Sequence, residues 1–245
     1  METIETEFQR KLEVCYSPEL FPTYFVKDDC VVVVIDIFRA TSAICTAFDH
    51  GIKQIIPVAT IEEAREYQAK GYVAAAERNG EIVEGFDLGN SPFSYMNPEL
   101  KGKELVLSTT NGTQAIEKAK AANTIIIGSF LNLDAVCRFL EKQNKNVILL
   151  CAGWKGRYNL EDSLFAGAVV NQLKNNPVFT GLSDSSIAAD QMYDLAKGDL
   201  GEFLKNSSHR RRLAKLNLEK DIDYCLQLNQ IDLVPIFNGT GLTIN

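Results

Sequence analysis

The chain has 245 residues, enough for one large domain or two closely packed halves with a sizeable core. Its 25 Lys and Arg against 32 Asp and Glu leave a net charge of −7, and 46% of residues are hydrophobic, a composition that excludes a disordered chain and disfavours a general nucleic-acid-binding surface. The longest aliphatic run, residues 31–35, falls far short of the roughly 20 apolar residues of a membrane span. The N-terminal METIETEFQRKLEV carries acids where a secretory signal would be apolar, so a cytoplasmic protein with no membrane partner is expected. The 6 cysteines form no C-x-x-C pair, and the 2 histidines, His50 and His209, are too few for a three-histidine metal site.

In chain order, the β-branched run 31–35 reads as a strand buried on both faces and closed by Asp36, followed by a helix from about Thr41. Residues 54–58 read as a strand, 61–70 as a helix and 72–76 as a strand ending at Glu77. Residues 80–98 collect glycines, prolines and asparagine without a period and read as a long functional connection. The pattern then restarts with strand 104–107, helix 113–122, strand 124–127, helix 133–142 and strand 147–151. Residues 160–173, 185–206 and 221–228 are helical in period, and 232–237 reads as a strand for a sheet edge, where Pro235 is tolerated. The fold expected is α/β, a three-layer α/β/α sandwich on a mostly parallel sheet with a helical C-terminal region. IDIFRAT and LSTTNGT each close a strand and open a helix, so the chain divides into a first α/β half, 1–100, and a second, 101–245, that read as a duplication, either two domains or one compact unit.

In a parallel sheet, ligands bind at the carboxyl ends of strands. Asp36, Glu77, Ser108 and Cys151 all end strands and are expected on one rim. Ser108, Thr109, Thr110, Asn111, Gly112 and Thr113 combine hydroxyls, an amide and a glycine at a helix start, which suits either a phosphate cradle or an ordinary N-cap and turn. In DIFRATS, Asp36 suits a metal ligand or a nucleophile, Arg39 a phosphate fork, and Thr41 and Ser42 further donors; an internal salt bridge is the alternative. Arg78 follows Glu77, and Asn90 and Ser91 sit in EGFDLGNSP. Glu161 and Asp162 either complement a helix dipole or complete an oxygen-rich Mg²⁺ site with Asp36 and Glu77. Cys151 and Arg157 match the C-x5-R spacing of cysteine phosphatases without the preceding histidine. A haloacid-dehalogenase mechanism would lack its general acid, because Phe38 stands two residues after Asp36. The Ser208 to Arg212 cluster is either a solvated helix face or a source of positive charge over the site.

VIDIFRAT from Val34, ERNG from Glu77, EGFDLGNSP from Glu84, TTNGT from Thr109, CAG from Cys151, LED from Leu160 and DIDYC from Asp221 together resemble the 2-phosphosulfolactate phosphatase family. The resemblance implies a Mg²⁺-dependent phosphatase that hydrolyses 2-phosphosulfolactate to sulfolactate and phosphate, a step of coenzyme M biosynthesis. It implies a small substrate bearing phosphate and sulfonate, with Asp36, Arg39, Glu77 and Arg78 as catalytic residues. The chain departs from the family at Phe38, Ala76, Asn79, Ser208 and Arg210. The alternatives are a phosphatase of another small phosphate ester and a non-catalytic protein that binds a small organic anion. The apolar C-terminal helices offer a surface for a homodimer or a cover for the sheet.

Overall fold

The computed structural model describes residues 10–24 and 30–244; most of the acidic N-terminal segment read above lies outside them. The chain runs β1 (Arg10–Cys15), α1 (Phe21–Tyr24), β2 (Cys30–Ile35), α2 (Ala40–Asp49), β3 (Gln54–Pro57), α3 (Ile61–Ala69), β4 (Val73–Arg78) and β5 (Glu81–Ile82). It continues through β6 (Glu104–Ser108), α4 (Gly112–Ala119), β7 (Thr124–Gly128), α5 (Leu133–Lys142), β8 (Asn146–Cys151), α6 (Leu160–Leu173) and β9 (Phe179–Leu182). The C-terminal part contributes α7 (Asp184–Ala196), α8 (Leu200–Leu204), α9 (Ser208–Ala214), α10 (Glu219–Cys225), β10 (Ile236–Phe237) and β11 (Leu242–Thr243).

The strand CVVVVI is buried at all six positions because both of its faces are covered. Val31, Val33 and Ile35 pack with Val136 of α5 and Leu164, Phe165 and Val169 of α6. Val32 and Val34 point the other way, onto Ile44 and Phe48 of α2 and Ile116 of α4. Each such side chain contributes roughly 1.5–3 kcal/mol of burial, and the alternation places helices on both faces of the sheet, giving the expected three layers. Among the described residues no helix is long and apolar enough to cross a membrane.

Among the described residues the sheet has 11 strands, in the order β5-β4-β6-β3-β11-β10-β7-β2-β8-β1-β9. One parallel run, β4-β6-β3, and another, β7-β2-β8-β1-β9, are joined through β11 and β10. The pairings β3/β11, β11/β10 and β10/β7 are all antiparallel, so the two runs point in opposite senses along the ladder. Asp36 and Cys151 end strands of one run and Glu77 and Ser108 lie in the other, yet Asp36 and Glu77 still line one cavity, so these two of the four residues expected on one rim are brought together across the two runs. Strands from the two sequence halves also interleave, since β2 lies between β7 and β8 and β6 lies between β3 and β4.

Three further expectations change in detail. Residues 185–206 form two helices, because Gly198 separates α7 from α8 and the Asp199 side chain accepts from the Glu202 N–H at 2.8 Å to start the second. The predicted edge strand 232–237 shrinks to β10 and sits inside the sheet; Pro235 is accommodated because only its carbonyl is used, accepting from Ile127 N–H at 3.0 Å. The irregular connection 80–98 carries the short strand β5 and 3-10 turns at Pro92–Met96 and Pro98–Leu100.

The tightest helix pairing rests on one glycine. A Cβ at Gly167 of α6 would stand 2.1 Å from the Ala189 carbonyl oxygen of α7, which is fixed backbone. Gly167→Ala is therefore expected to destabilise the fold by about 1–3 kcal/mol, seen as a lowered urea midpoint with an unchanged slope.

Candidate active site

Asp36 lies at the point where β2 gives way to α2, and it is 3% exposed. Thr41 holds this turn: its hydroxyl donates to the Asp36 carbonyl at 2.9 Å and accepts from the Asp36 N–H at 3.1 Å. Ser42 donates to the Ile37 carbonyl at 3.0 Å. Both hydroxyls thus brace the backbone. The Asp36 carboxylate receives the Ala40 N–H at the start of α2. The start of α4 approaches the same carboxylate so closely that a Cβ on Gly112 would meet Asp36 Oδ2 at 2.9 Å and Ala40 Cβ at 2.6 Å. Two helix N-termini therefore favour negative charge at Asp36. Burial outweighs them and pushes its carboxyl up to about 7, with His209 drawing it down and Glu77 and Glu161 pushing it further up.

On β4 the alternation of side chains turns Glu77 into the cavity and Arg78 away from it. Glu77 accepts from Gly80 N–H at 2.5 Å and from the backbone N–H and hydroxyl of Thr110 at 3.2 Å. It thereby ties the β4 turn to the turn that precedes α4. Arg78 donates to Ser108 Oγ at 2.9 Å and to the Glu77 carbonyl at 2.6 Å, so its fork is engaged within the scaffold. Thr109 and Thr113 are paired with each other, Thr113 N–H to Thr109 Oγ1 at 3.1 Å and Thr109 N–H to Thr113 Oγ1 at 3.2 Å. Of the predicted hydroxyl cradle, only Thr110 and Asn111 line the cavity; Ser108, Thr109 and Thr113 are buried and locally bonded.

Arg39 also lines the cavity, but its guanidinium is largely occupied: Nη1 forms a buried ion pair with Asp221 of α10, and Nη2 donates to the Gly80 carbonyl at 2.7 Å. The internal salt bridge, one of the two sequence readings of Arg39, is present. Asn90 lines the same cavity, with its buried Oδ1 unpartnered. Ser91 lines a neighbouring cavity on the other side of Arg39.

The two acids opening α6 differ sharply. Both Asp162 oxygens accept backbone N–H groups, from Ile37 at 2.9 Å and Gly153 at 3.0 Å. Asp162 thus locks the turns after β2 and β8 together, and burial beside Glu161 and Asp36 pushes its carboxyl well up. Glu161 is 1% exposed and places Oε1 2.6 Å from Nδ1 of His209, leaving Oε2 buried without a partner. Cys151 is fully buried and its thiol is pushed well up by that burial, while Arg157 is exposed and forms a bridge with Trp154. The pair therefore builds no thiolate loop.

The resulting cavity is lined by Asp36, Glu77, Thr110 and Asn111 together with Trp154, His209 and Arg212. Sequence reading undervalued the last three. The signal in α9 was the helical spacing of His209, Arg212 and Leu213, which places all three on one face of α9, and all three line the cavity. No group of three His, Cys, Asp or Glu side chains is gathered as a ready cation cage among the described residues. The set predicted for metal, Asp36, Glu77, Glu161 and Asp162, thus divides into Asp36, Glu77 and Asp162, each bonded to backbone amides, and Glu161, whose buried Oε2 is unpartnered.

A family profile described as 2-phosphosulpholactate phosphatase matches residues 15–240, which spans every wall of this cavity. The chain belongs to the 2-phosphosulfolactate phosphatase family. It is 45% identical to a probable 2-phosphosulfolactate phosphatase of Thermotoga petrophila over 208 residues, covering 84% of this chain and 89% of the relative. It is 41% identical to a protein of the same description from Caldanaerobacter subterraneus, covering 83% of this chain and 86% of the relative. A Clostridium botulinum relative, again described as probable 2-phosphosulfolactate phosphatase, is 35% identical over 233 residues, 94% of this chain and 97% of its own length. Members of this family are phosphoric monoester hydrolases, and the buried acids and turn amides of the cavity suit that chemistry.

Proposed function

We propose that the protein is a Mg²⁺-dependent phosphatase that hydrolyses 2-phosphosulfolactate to sulfolactate and phosphate. The observation that carries the reading is the convergence of Asp36, the Thr110–Asn111 turn and the His209–Arg212 face of α9 on one cavity, in a chain of this family. Phosphoryl transfer needs in-line positioning and charge neutralisation more than covalent chemistry. Thr110 and Asn111 border the phosphoryl group, with Glu77 fixing the turn that presents them. Asp36, at two helix N-termini, faces the reacting phosphorus, and Phe38 and Leu213 help to exclude bulk water.

The donor set suits Mg²⁺, which binds through one or two carboxylates together with water and substrate oxygens. Asp36 and Glu161 would hold it, and the unpartnered Oε2 of Glu161 is the buried atom that such a cation would satisfy. When bound, the ion would neutralise phosphoryl charge and polarise a phosphoryl oxygen. The reading places the enzyme in the cytoplasm, where its 6 buried cysteines would remain thiols.

The test is phosphate release from 2-phosphosulfolactate with Mg²⁺, with a chelator, and after alkylation of native protein by iodoacetamide. Turnover is expected to be chelator-sensitive and unchanged by alkylation, because every free cysteine is buried. Metal-independent turnover abolished by alkylation would transfer the chemistry to a thiol. Tight binding of the ester without phosphate release would make the protein a binding module.

A further inference from the structure

Arg39 and Arg212 line the cavity and Arg78 follows Glu77 on β4, and the structure separates these arginines by what their guanidinium groups already hold. Arg39 is paired with Asp221 and the Gly80 carbonyl, and Arg78 with Ser108 and the Glu77 carbonyl. Arg212 lines the same cavity as Asp36, and its contact is with an aromatic face: its guanidinium carbon is 4.1 Å from the ring centroid of Trp154. Lys155 stacks on the same ring at 4.7 Å. Stacking orients a guanidinium plane while leaving its edge N–H groups available for a planar acid. Burial draws the Arg212 pKa down, and Glu161 and Glu77 raise it, so the cation stands partly desolvated near these acids.

An ester that carries acid groups beside its phosphate brings more negative charge than the phosphoryl end of the cavity can compensate. A charged donor in the cavity lining that is not already engaged by protein acids or carbonyls is required. We infer that Arg212, held on the face of Trp154, is the specificity-determining residue that receives the non-phosphoryl acid group of the substrate, its carboxylate or its sulfonate. This inference rests on the phosphatase reading and adds the residue that selects a polyanionic ester over a simple one. It also assigns Trp154 a positioning role, since its ring sets the plane of the guanidinium.

The experiment compares Arg212→Gln, Arg212→Lys and Trp154→Leu with wild type on three esters: 2-phosphosulfolactate, 2-phospholactate, which has the carboxylate but no sulfonate, and p-nitrophenyl phosphate, which has neither. A charge-assisted, two-pronged contact accounts for about a 10- to 100-fold change in binding. Arg212→Gln is expected to lower kcat/KM for 2-phosphosulfolactate at least 10-fold more than for the aryl ester, mainly through KM, with Arg212→Lys and Trp154→Leu intermediate. An equal loss on 2-phospholactate would assign the contact to the carboxylate, and a loss confined to 2-phosphosulfolactate would assign it to the sulfonate. Equal losses on all three esters, or none on any, would overturn the inference. Wild type that hydrolyses 2-phospholactate but not 2-phosphosulfolactate would refute the substrate reading instead, and the Arg212 comparison would then be decided between 2-phospholactate and the aryl ester.

Discussion

Asp36→Asn is expected to reduce phosphate release by about 10³-fold, within the range for loss of a group acting on the reacting atoms, and at the same time to stabilise the metal-free fold at neutral pH. The substitution keeps the side chain's shape and removes its charge at a site 3% exposed. The stability half follows from linkage. Burial raises the folded-state pKa from the ordinary 3.8 to about 7. Between those values the unfolded chain has released its proton and the folded chain has kept it, so the fold weakens as pH rises through that window. The full interval corresponds to roughly 4 kcal/mol at most. Thermal melts of metal-free wild type and variant should therefore nearly coincide at pH 4 and separate by pH 8, with the variant melting higher. A variant that melts lower than wild type at pH 8, or one that keeps its turnover, would contradict the account. Sites that concentrate buried charge commonly trade stability for activity in this way.

Asp221→Ala is expected to cause the largest loss of stability, about 3–5 kcal/mol, because it leaves the Arg39 guanidinium buried without its counter-charge. Arg39 is 4% exposed, and the side chain of Asp221 is 7% exposed. Folds of this size have total stabilities of roughly 5–15 kcal/mol, so the variant should unfold at a far lower urea concentration. The same arginine holds the Gly80 carbonyl at 2.7 Å and so anchors the turn that carries Glu77; turnover should fall along with stability. Joint replacement by apolar residues, Arg39→Met with Asp221→Leu, should recover much of the stability but none of the turnover, since no buried charge is left unpaired. A loss below 1 kcal/mol for Asp221→Ala in urea denaturation would show that the pair is solvated.

The parallel strands were readable because runs such as Val31 to Ile35 have only one compatible role, a strand covered on both faces. β1 and β9 escaped because RKLEVC mixes charges with apolar residues and FTGL is only four residues long. The reversal between the two parallel runs depends on β10 and β11, two residues each, whose pairing is a tertiary choice that no local period encodes. For the site, Asp36, Glu77, Thr110 and Asn111 were legible as polar residues at strand ends. Their hydroxyl and acidic neighbours were overread: Thr41, Ser42, Thr109, Thr113 and Asp162 carry polar groups in equally suggestive places, yet each is bonded to nearby backbone. Sequence lists donors without showing which are already engaged. Trp154, His209 and Arg212 were undervalued for the opposite reason, since their meeting at one cavity depends on where α9, far along the chain, packs.

The most direct test of the central claim is phosphate release from 2-phosphosulfolactate by wild type beside Asp36→Asn, in Mg²⁺ at pH 7.5, with sulfolactate measured in the same samples. The account predicts equal amounts of phosphate and sulfolactate from wild type and about a thousandth of that rate from the variant. Equal turnover by the two proteins, or none by a folded wild type, would contradict it.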